Sequence, residues 1–167
     1  IGEAISLALK NAGCKVAAIY AGNEERANAF SAAHGINAYK CDVSDFDACQ
    51  QTVAQVADDL GPVDILVNNV GASPSRNFLY MSDQDWQDLH ELNLLSAVRC
   101  TRSFLPHMRE QKWGRVIMIS SSAGKYPSAA LIDYGATKSA MISISKSLAK
   151  KYGLSLIHIS EPTRLDH

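Results

Sequence analysis

The sequence lacks the marks of several large protein classes. Basic residues are not in excess: 16 lysines and arginines stand against 17 acidic residues, a formal net charge of −1. A protein that neutralises nucleic-acid phosphates without regard to sequence needs such an excess, so no nucleic-acid partner is expected. Long apolar runs are also missing. Stretches such as Val63–Val67 suit a buried strand. None reaches the roughly 18–20 residues that span a bilayer, so no membrane partner is expected. Cysteine is sparse and scattered, at Cys14, Cys41, Cys49 and Cys100, with no Cys-x-x-Cys pair. That pattern argues against a disulfide framework and against a zinc site, so no metal is expected; it reads as small core thiols in a reducing compartment. No basic and apolar leader opens the chain, and the expected location is the cytoplasm. What is present is ordinary globular composition, 47% hydrophobic and 20% charged over 167 residues, which fits one folded domain and excludes a disordered chain.

The ends differ from the middle. The chain starts at Ile1, not at methionine, and Ile1, Ile5, Ala8, Leu9 and Ala12 already recur at helical spacing before Gly13. The chain therefore opens inside a helix or at its mouth, with Gly13 as its stop. At the other end, Leu154–Arg164 resembles the translated product of a transposase-type sequencing adapter. The expected division is a domain over residues 1–153, incomplete at both ends, and a non-native tail over residues 154–167. A strand followed by a proline-stopped loop is the alternative for that run.

Between the ends, strand-like and helix-like segments alternate. Lys15–Tyr20, Asn37–Val43, Asp64–Asn68 and Arg115–Ser120 are short apolar or β-branched runs that read as strands. Helices are expected over Glu24–Ala33, behind a cap at Ser44-Asp45-Phe46-Asp47, behind a second N-cap box at Ser82-Asp83-Gln84-Asp85 that opens one long helix through about Met108, and over Ala130–Tyr152. Strict alternation of this kind builds an α/β, doubly wound parallel sheet of Rossmann-like type. Ligands bind such sheets at the carboxyl ends of the strands. Three of the four segments found there are small or polar: Ala21-Gly22-Asn23, Asn68-Asn69-Val70-Gly71 and Ser120-Ser121-Ser122-Ala123-Gly124; the fourth is Asp42-Val43.

Four features carry chemistry. Tyr134 and Lys138 stand one helical turn apart, on one face. A phenol ionises near pH 10, and a neighbouring ammonium favours the phenolate, which brings the tyrosine toward acid–base use. Ser121 lies at the carboxyl end of the strand before that helix, so its hydroxyl can converge with the phenol on one carbonyl oxygen. Asn69 and Gly71 follow a buried strand, where glycine permits close approach by a ligand. Asn93 lies inside a long helix, against its propensity, between Leu92 and Leu94. Alone, each has a plain structural reading: a surface Tyr–Lys pair, a polar turn, an Asn/Gly turn, a helix kink or core hydrogen bond.

Together, in this order and at this spacing, they resemble the short-chain dehydrogenase/reductase family. The resemblance covers Ile1 to about Gly153, with Val70 where the family usually has alanine. It implies that Tyr134 is the general acid in reduction, that Lys138 lowers its pKa and holds the nicotinamide ribose, that Ser121 orients the substrate carbonyl, and that Asn93 holds a water in the proton relay. It further implies that Gly2 is the last glycine of the phosphate turn, that Asp42 and Val43 flank the adenine, and that Asn69 and Gly71 line the cofactor. Within the family, the first half is similar to acetoacetyl-CoA reductases and the second to 3-oxoacyl reductases, so a small acyl-thioester substrate is expected. Tyr20-Ala21-Gly22-Asn23 carries no acid to bind a ribose 2′-hydroxyl, which favours NADP(H) over NAD(H). The helix from Ser82 is apolar on more than one side, through Trp86, Leu89, Leu92, Leu94, Leu95, Ala97, Val98 and Phe104, and a homotetramer is expected. A short-chain dehydrogenase of another substrate, such as an alcohol or a sugar, or a non-catalytic nucleotide-binding regulator on the same fold, is the alternative.

Overall fold

The computed structural model describes residues 1–153; the expected tail, Leu154–His167, lies outside the described residues. The described chain divides into two compact units, one from Ile1 to Val63 and one beginning at Asp64.

In the first unit the order is α1 (Gly2–Asn11), β1 (Ala17–Tyr20), α2 (Glu24–His34), β2 (Asn37–Lys40) and α3 (Phe46–Leu60). β1 and β2 run parallel, in register from Ala17 opposite Asn37 to Tyr20 opposite Lys40. Gly13 does stop α1: it adopts φ 89°, and the Cys14 N–H returns to the Leu9 carbonyl at 3.0 Å. Asn23 caps α2 by accepting from the Arg26 N–H at 2.8 Å. The cap of α3 is Asp45 and not Ser44, because the Asp45 carboxylate accepts from the N–H groups of Asp47 and Ala48. Ser44 is instead engaged by Asp42, whose Oδ1 accepts from its N–H at 2.9 Å and its hydroxyl at 2.6 Å. This side-chain turn lies just beyond β2, which ends at Lys40, short of the expected Val43.

The second unit contains β3 (Ile65–Asn68), α4 (Asp83–His90), a π-helical turn (Glu91–Leu95), α5 (Ser96–Glu110), β4 (Arg115–Met118) and α6 (Ile132–Tyr152). β3 and β4 are parallel, from Ile65 opposite Arg115 to Asn68 opposite Met118. The expected capping box at Ser82 is present and reciprocal with Asp85. The expected single helix behind it is not uninterrupted: the π turn divides it at Glu91–Leu95, around Asn93. The core lies here. Met108 and Val116 are fully buried, with Ala97, Leu105, Met118 and Met141, and Leu66, Leu94, Phe104 and Leu148 pack against them. Gly114 fits tightly over this core, since a Cβ there would lie 2.6 Å from Met108 Cγ.

Met108→Ala removes a side chain from the centre of that cluster, and the gap cannot close fully. Chemical denaturation is expected to show a loss of about 2–5 kcal/mol.

Candidate active site

The site is assembled in the second unit from three segments. The first is the loop after β3. Asn68, at the strand's end, is buried, and its Nδ2 donates to Thr101 Oγ1 at 3.2 Å and to Met118 Sδ at 3.3 Å. One amide thus ties β3 to α5 and to β4. Asn69 follows, half-buried, and then the exposed Gly71. A Cβ on Gly71 would stand 3.1 Å from Lys138 Nζ and 3.3 Å from Asn93 Oδ1, so glycine keeps this approach open.

The second segment is the π turn. Asn93 has no exposed surface. Its Oδ1 accepts from the Ala72 N–H at 2.8 Å, and its Nδ2 donates to the Ala72 carbonyl at 2.9 Å and to Thr137 Oγ1 at 3.2 Å. The amide therefore clamps the backbone of one loop residue from both sides and reaches α6 as well. π turns inside α-helices occur often at functional sites. Of the two plain readings of this helical asparagine, both hold: the helix is locally irregular, and the amide is a core hydrogen-bonding group.

The third segment is the serine loop on α6. Ser120 is buried, and its hydroxyl donates to the Lys138 carbonyl at 3.1 Å. Ser121 is half-buried and caps the 3₁₀ turn Ser122–Gly124, its Oγ accepting from the Ala123 N–H at 3.2 Å. Ser139 of α6 donates back to the Gly124 carbonyl at 2.7 Å. Two glycines allow this contact. A Cβ on Gly124 would lie 2.8 Å from the Lys138 carbonyl carbon, and one on Gly135 would lie 3.1 Å from the Ala123 oxygen. The loop thus rests on the backbone of the helix that carries Tyr134 and Lys138.

Tyr134 is half-buried; its N–H donates to Asp133 Oδ1 and its carbonyl accepts from Thr137 Oγ1, both at 2.8 Å. Lys138 is 3% exposed, with Nζ 5.7 Å from the centre of the Tyr134 ring. That ammonium donates to the Ile119 carbonyl at 3.0 Å and lies 3.5 Å from Met141 Sδ. An ammonium has three donors. Among the described residues one is well used and one weakly, which leaves a donor for a ligand hydroxyl beside Gly71. The residues present therefore fit the ribose of a nicotinamide cofactor.

Burial pushes the Lys138 pKa below its ordinary value of 10.5. The unfolded chain thus binds more protons here than the folded one between the two values, and stability from this group rises with pH through that window. The stability of the parent relative to Lys138→Met is expected to increase as pH climbs toward 10.5, measured by denaturant unfolding along a pH series. A flat difference would contradict a desolvated, charged lysine.

The remaining expected residues lie in the first unit. Gly2 is the half-buried first residue of α1. The two hydrogen bonds from Ser44 hold the Asp42 carboxyl below the usual carboxylate range. Val43 is buried, and its carbonyl lies 3.6 Å from Cys49 Sγ. Sequence reading missed Thr137 and Ser139, and took Ser120 only as part of the polar run at the end of its strand. Thr137 and Ser139 fall within the next two turns of α6 after Tyr134, and that proximity was the available signal.

Residues 1–161 match the family model described as short chain dehydrogenase. Over 151 residues the chain is 43% identical to an acetoacetyl-CoA reductase of Rhizobium meliloti, a match covering 90% of this chain and 63% of that protein. Over 156 residues it is 32% identical to a 3-oxoacyl-[acyl-carrier-protein] reductase of Staphylococcus aureus, covering 90% of this chain and 63% of that one. Among solved structures, a short-chain dehydrogenase from Streptomyces avermitilis superposes with a TM-score of 0.89 at 33% identity, over 96% of this chain and 59% of that one. Serine dehydrogenase from Escherichia coli does so with a TM-score of 0.87 at 29% identity, over 96% and 75%. The chain spans less than two thirds of the length of the curated relatives it matches.

Proposed function

The chain belongs to the short-chain dehydrogenase family, and from that premise we propose that its site reduces the carbonyl of a 3-oxoacyl thioester to the 3-hydroxyacyl thioester with NADP(H). The observation that carries the reading is the buried Lys138 ammonium stacked over Tyr134, on the helix against which the Ser121 loop is packed. When bound, the reduced nicotinamide supplies a hydride to the carbonyl carbon. Tyr134 gives its phenolic proton to the carbonyl oxygen, and the resulting phenolate is favoured by the Lys138 charge. Ser121 Oγ donates to the same oxygen and fixes its direction. Lys138 also holds the ribose, and Asn69 and Gly71 line the cofactor. Gly2, Asp42 and Val43 serve its phosphate and adenine ends. The Asn93 amide is committed to Ala72 and Thr137, so of its side-chain groups only the second lone pair of Oδ1 is left for a relay water.

NADP(H) is favoured because residues 20–23 offer no carboxylate, and the Asn23 side chain serves as the cap of α2. The acyl-thioester substrate is supported by the names of the relatives. A different short-chain dehydrogenase substrate is the second reading, favoured by the serine dehydrogenase likeness. A non-catalytic regulator is disfavoured by the presence of both Tyr134 and Lys138. The assembly is proposed as a homotetramer, supported by half-buried Trp86, Leu92, Leu95 and Val98 along α4, the π turn and α5. A cytoplasmic location belongs to the same proposal; no helix among the described residues is long and apolar enough to cross a membrane.

Tyr134→Phe is the direct test. NADPH-linked reduction of acetoacetyl-CoA should fall by about 10²–10⁴-fold, while NADPH affinity from nucleotide fluorescence stays within a few-fold. A variant that keeps more than about a tenth of the parent rate would overturn the assignment.

A further inference from the structure

Asp133 has no part in the chemistry above, yet it is the most deeply buried carboxylate near it. It is 2% exposed and immediately precedes Tyr134, in the first turn of α6. Leu131 gives α6 no side-chain cap, and Asp133 Oδ1 accepts from the Tyr134 N–H instead. Its Oδ2 makes no hydrogen bond among the described residues, and it faces Arg76 Nη1 at 3.8 Å. Burying a carboxylate is costly where no cation stands near it, and Arg76 supplies that cation.

Arg76 lies on the loop after β3, and the same nitrogen is 3.2 Å from Asp85 Oδ1 and 3.3 Å from the Asp85 carbonyl. Asp85 is itself fixed by its reciprocal bonds with Ser82. Both carboxylates stand in the first turn of a helix, where the helix dipole favours negative charge and eases the placing of two anions beside one cation. One guanidinium nitrogen therefore joins the loop to the beginnings of α4 and α6. Four residues upstream, Asn93 holds the same loop by Ala72.

We propose that the Arg76–Asp133 ion pair is a positioning device: it anchors the far end of the cofactor-lining loop to the helical turn that presents Tyr134, and so fixes the distance between phenol and cofactor. Neither residue touches the reacting atoms. The kinetic consequence rests on the reductase reading; the ion pair itself does not. Because all of the contacts use one nitrogen, charge at that point matters more than the guanidinium fork.

The test compares the parent with Arg76→Gln, Asp133→Asn, the double variant and Arg76→Lys. Each neutral single variant is expected to lose about tenfold or more in kcat, with KM for NADPH within about threefold, since displacement of a reacting group by an ångström costs rate on this scale. The double variant should be no slower than the slower single one, and Arg76→Lys should be faster than Arg76→Gln. Thermal unfolding of the same proteins gives an arm independent of turnover: Tm shifts of a few degrees are expected, and they should be non-additive. Single variants with kcat within twofold of an active parent would overturn the positioning role while leaving the reductase reading intact. Multiplicative rate losses, or additive Tm shifts, would overturn the pairing. An inactive parent would refute the reductase reading, and the kinetic role with it.

Discussion

A single buried amide organises the site. Asn93 is removed from solvent, and each half of its amide group has a partner that belongs to another segment. A polar group left unpaired at such depth costs on the order of 1–3 kcal/mol. The amide and its partners therefore hold each other: Ala72 cannot leave without orphaning Oδ1 and one of the two Nδ2 hydrogens, and the other fixes the amide to Thr137 of α6. With Ala72 held, Gly71 is brought beside Lys138 Nζ, so close that an added Cβ would stand 3.1 Å from the ammonium. An irregular turn in the middle of a helix is the accompanying local cost.

The helix α6 is the other half of the arrangement. Thr137 receives Asn93 on one side, while Gly135, Lys138 and Ser139 receive the serine loop through close backbone contact and two hydroxyl bonds. These contacts fix the backbone of the helix just after Tyr134 without occupying its hydroxyl among the described residues. Lys138 is held by the Ile119 carbonyl where β4 ends, so its charge is buried in a defined place. A desolvated charge next to a phenol acts more strongly than the same charge in water, because less solvent screens it.

Much of this was legible in the sequence because it is local. The alternation of elements, the Ser82–Asp85 box, the stop at Gly13 and the Tyr-x-x-x-Lys face each depend on residues within a few positions of one another. Asn68 was also readable, since an amide at the end of a buried strand has few partners other than its neighbours. The π turn was not readable: five residues of π-helix barely disturb an apolar pattern that is otherwise helical, and only Asn93 hinted at it. The choice of Asp45 over Ser44 turned on competition with Asp42, two good capping residues side by side with one of them already engaged. Arg76 and Asp133 are far apart in sequence, and no spacing rule joins them.

The claim that Asn93 holds the loop to α6 can be measured at one atom. Amide hydrogen exchange at Ala72, followed by NMR in the parent and in Asn93→Ala and referenced to Val67 in β3, isolates the bond the amide accepts. Exchange is expected to be slow in the parent and at least about tenfold faster in the variant, beyond any change at Val67. Equal protection of Ala72 in the two proteins would contradict that claim.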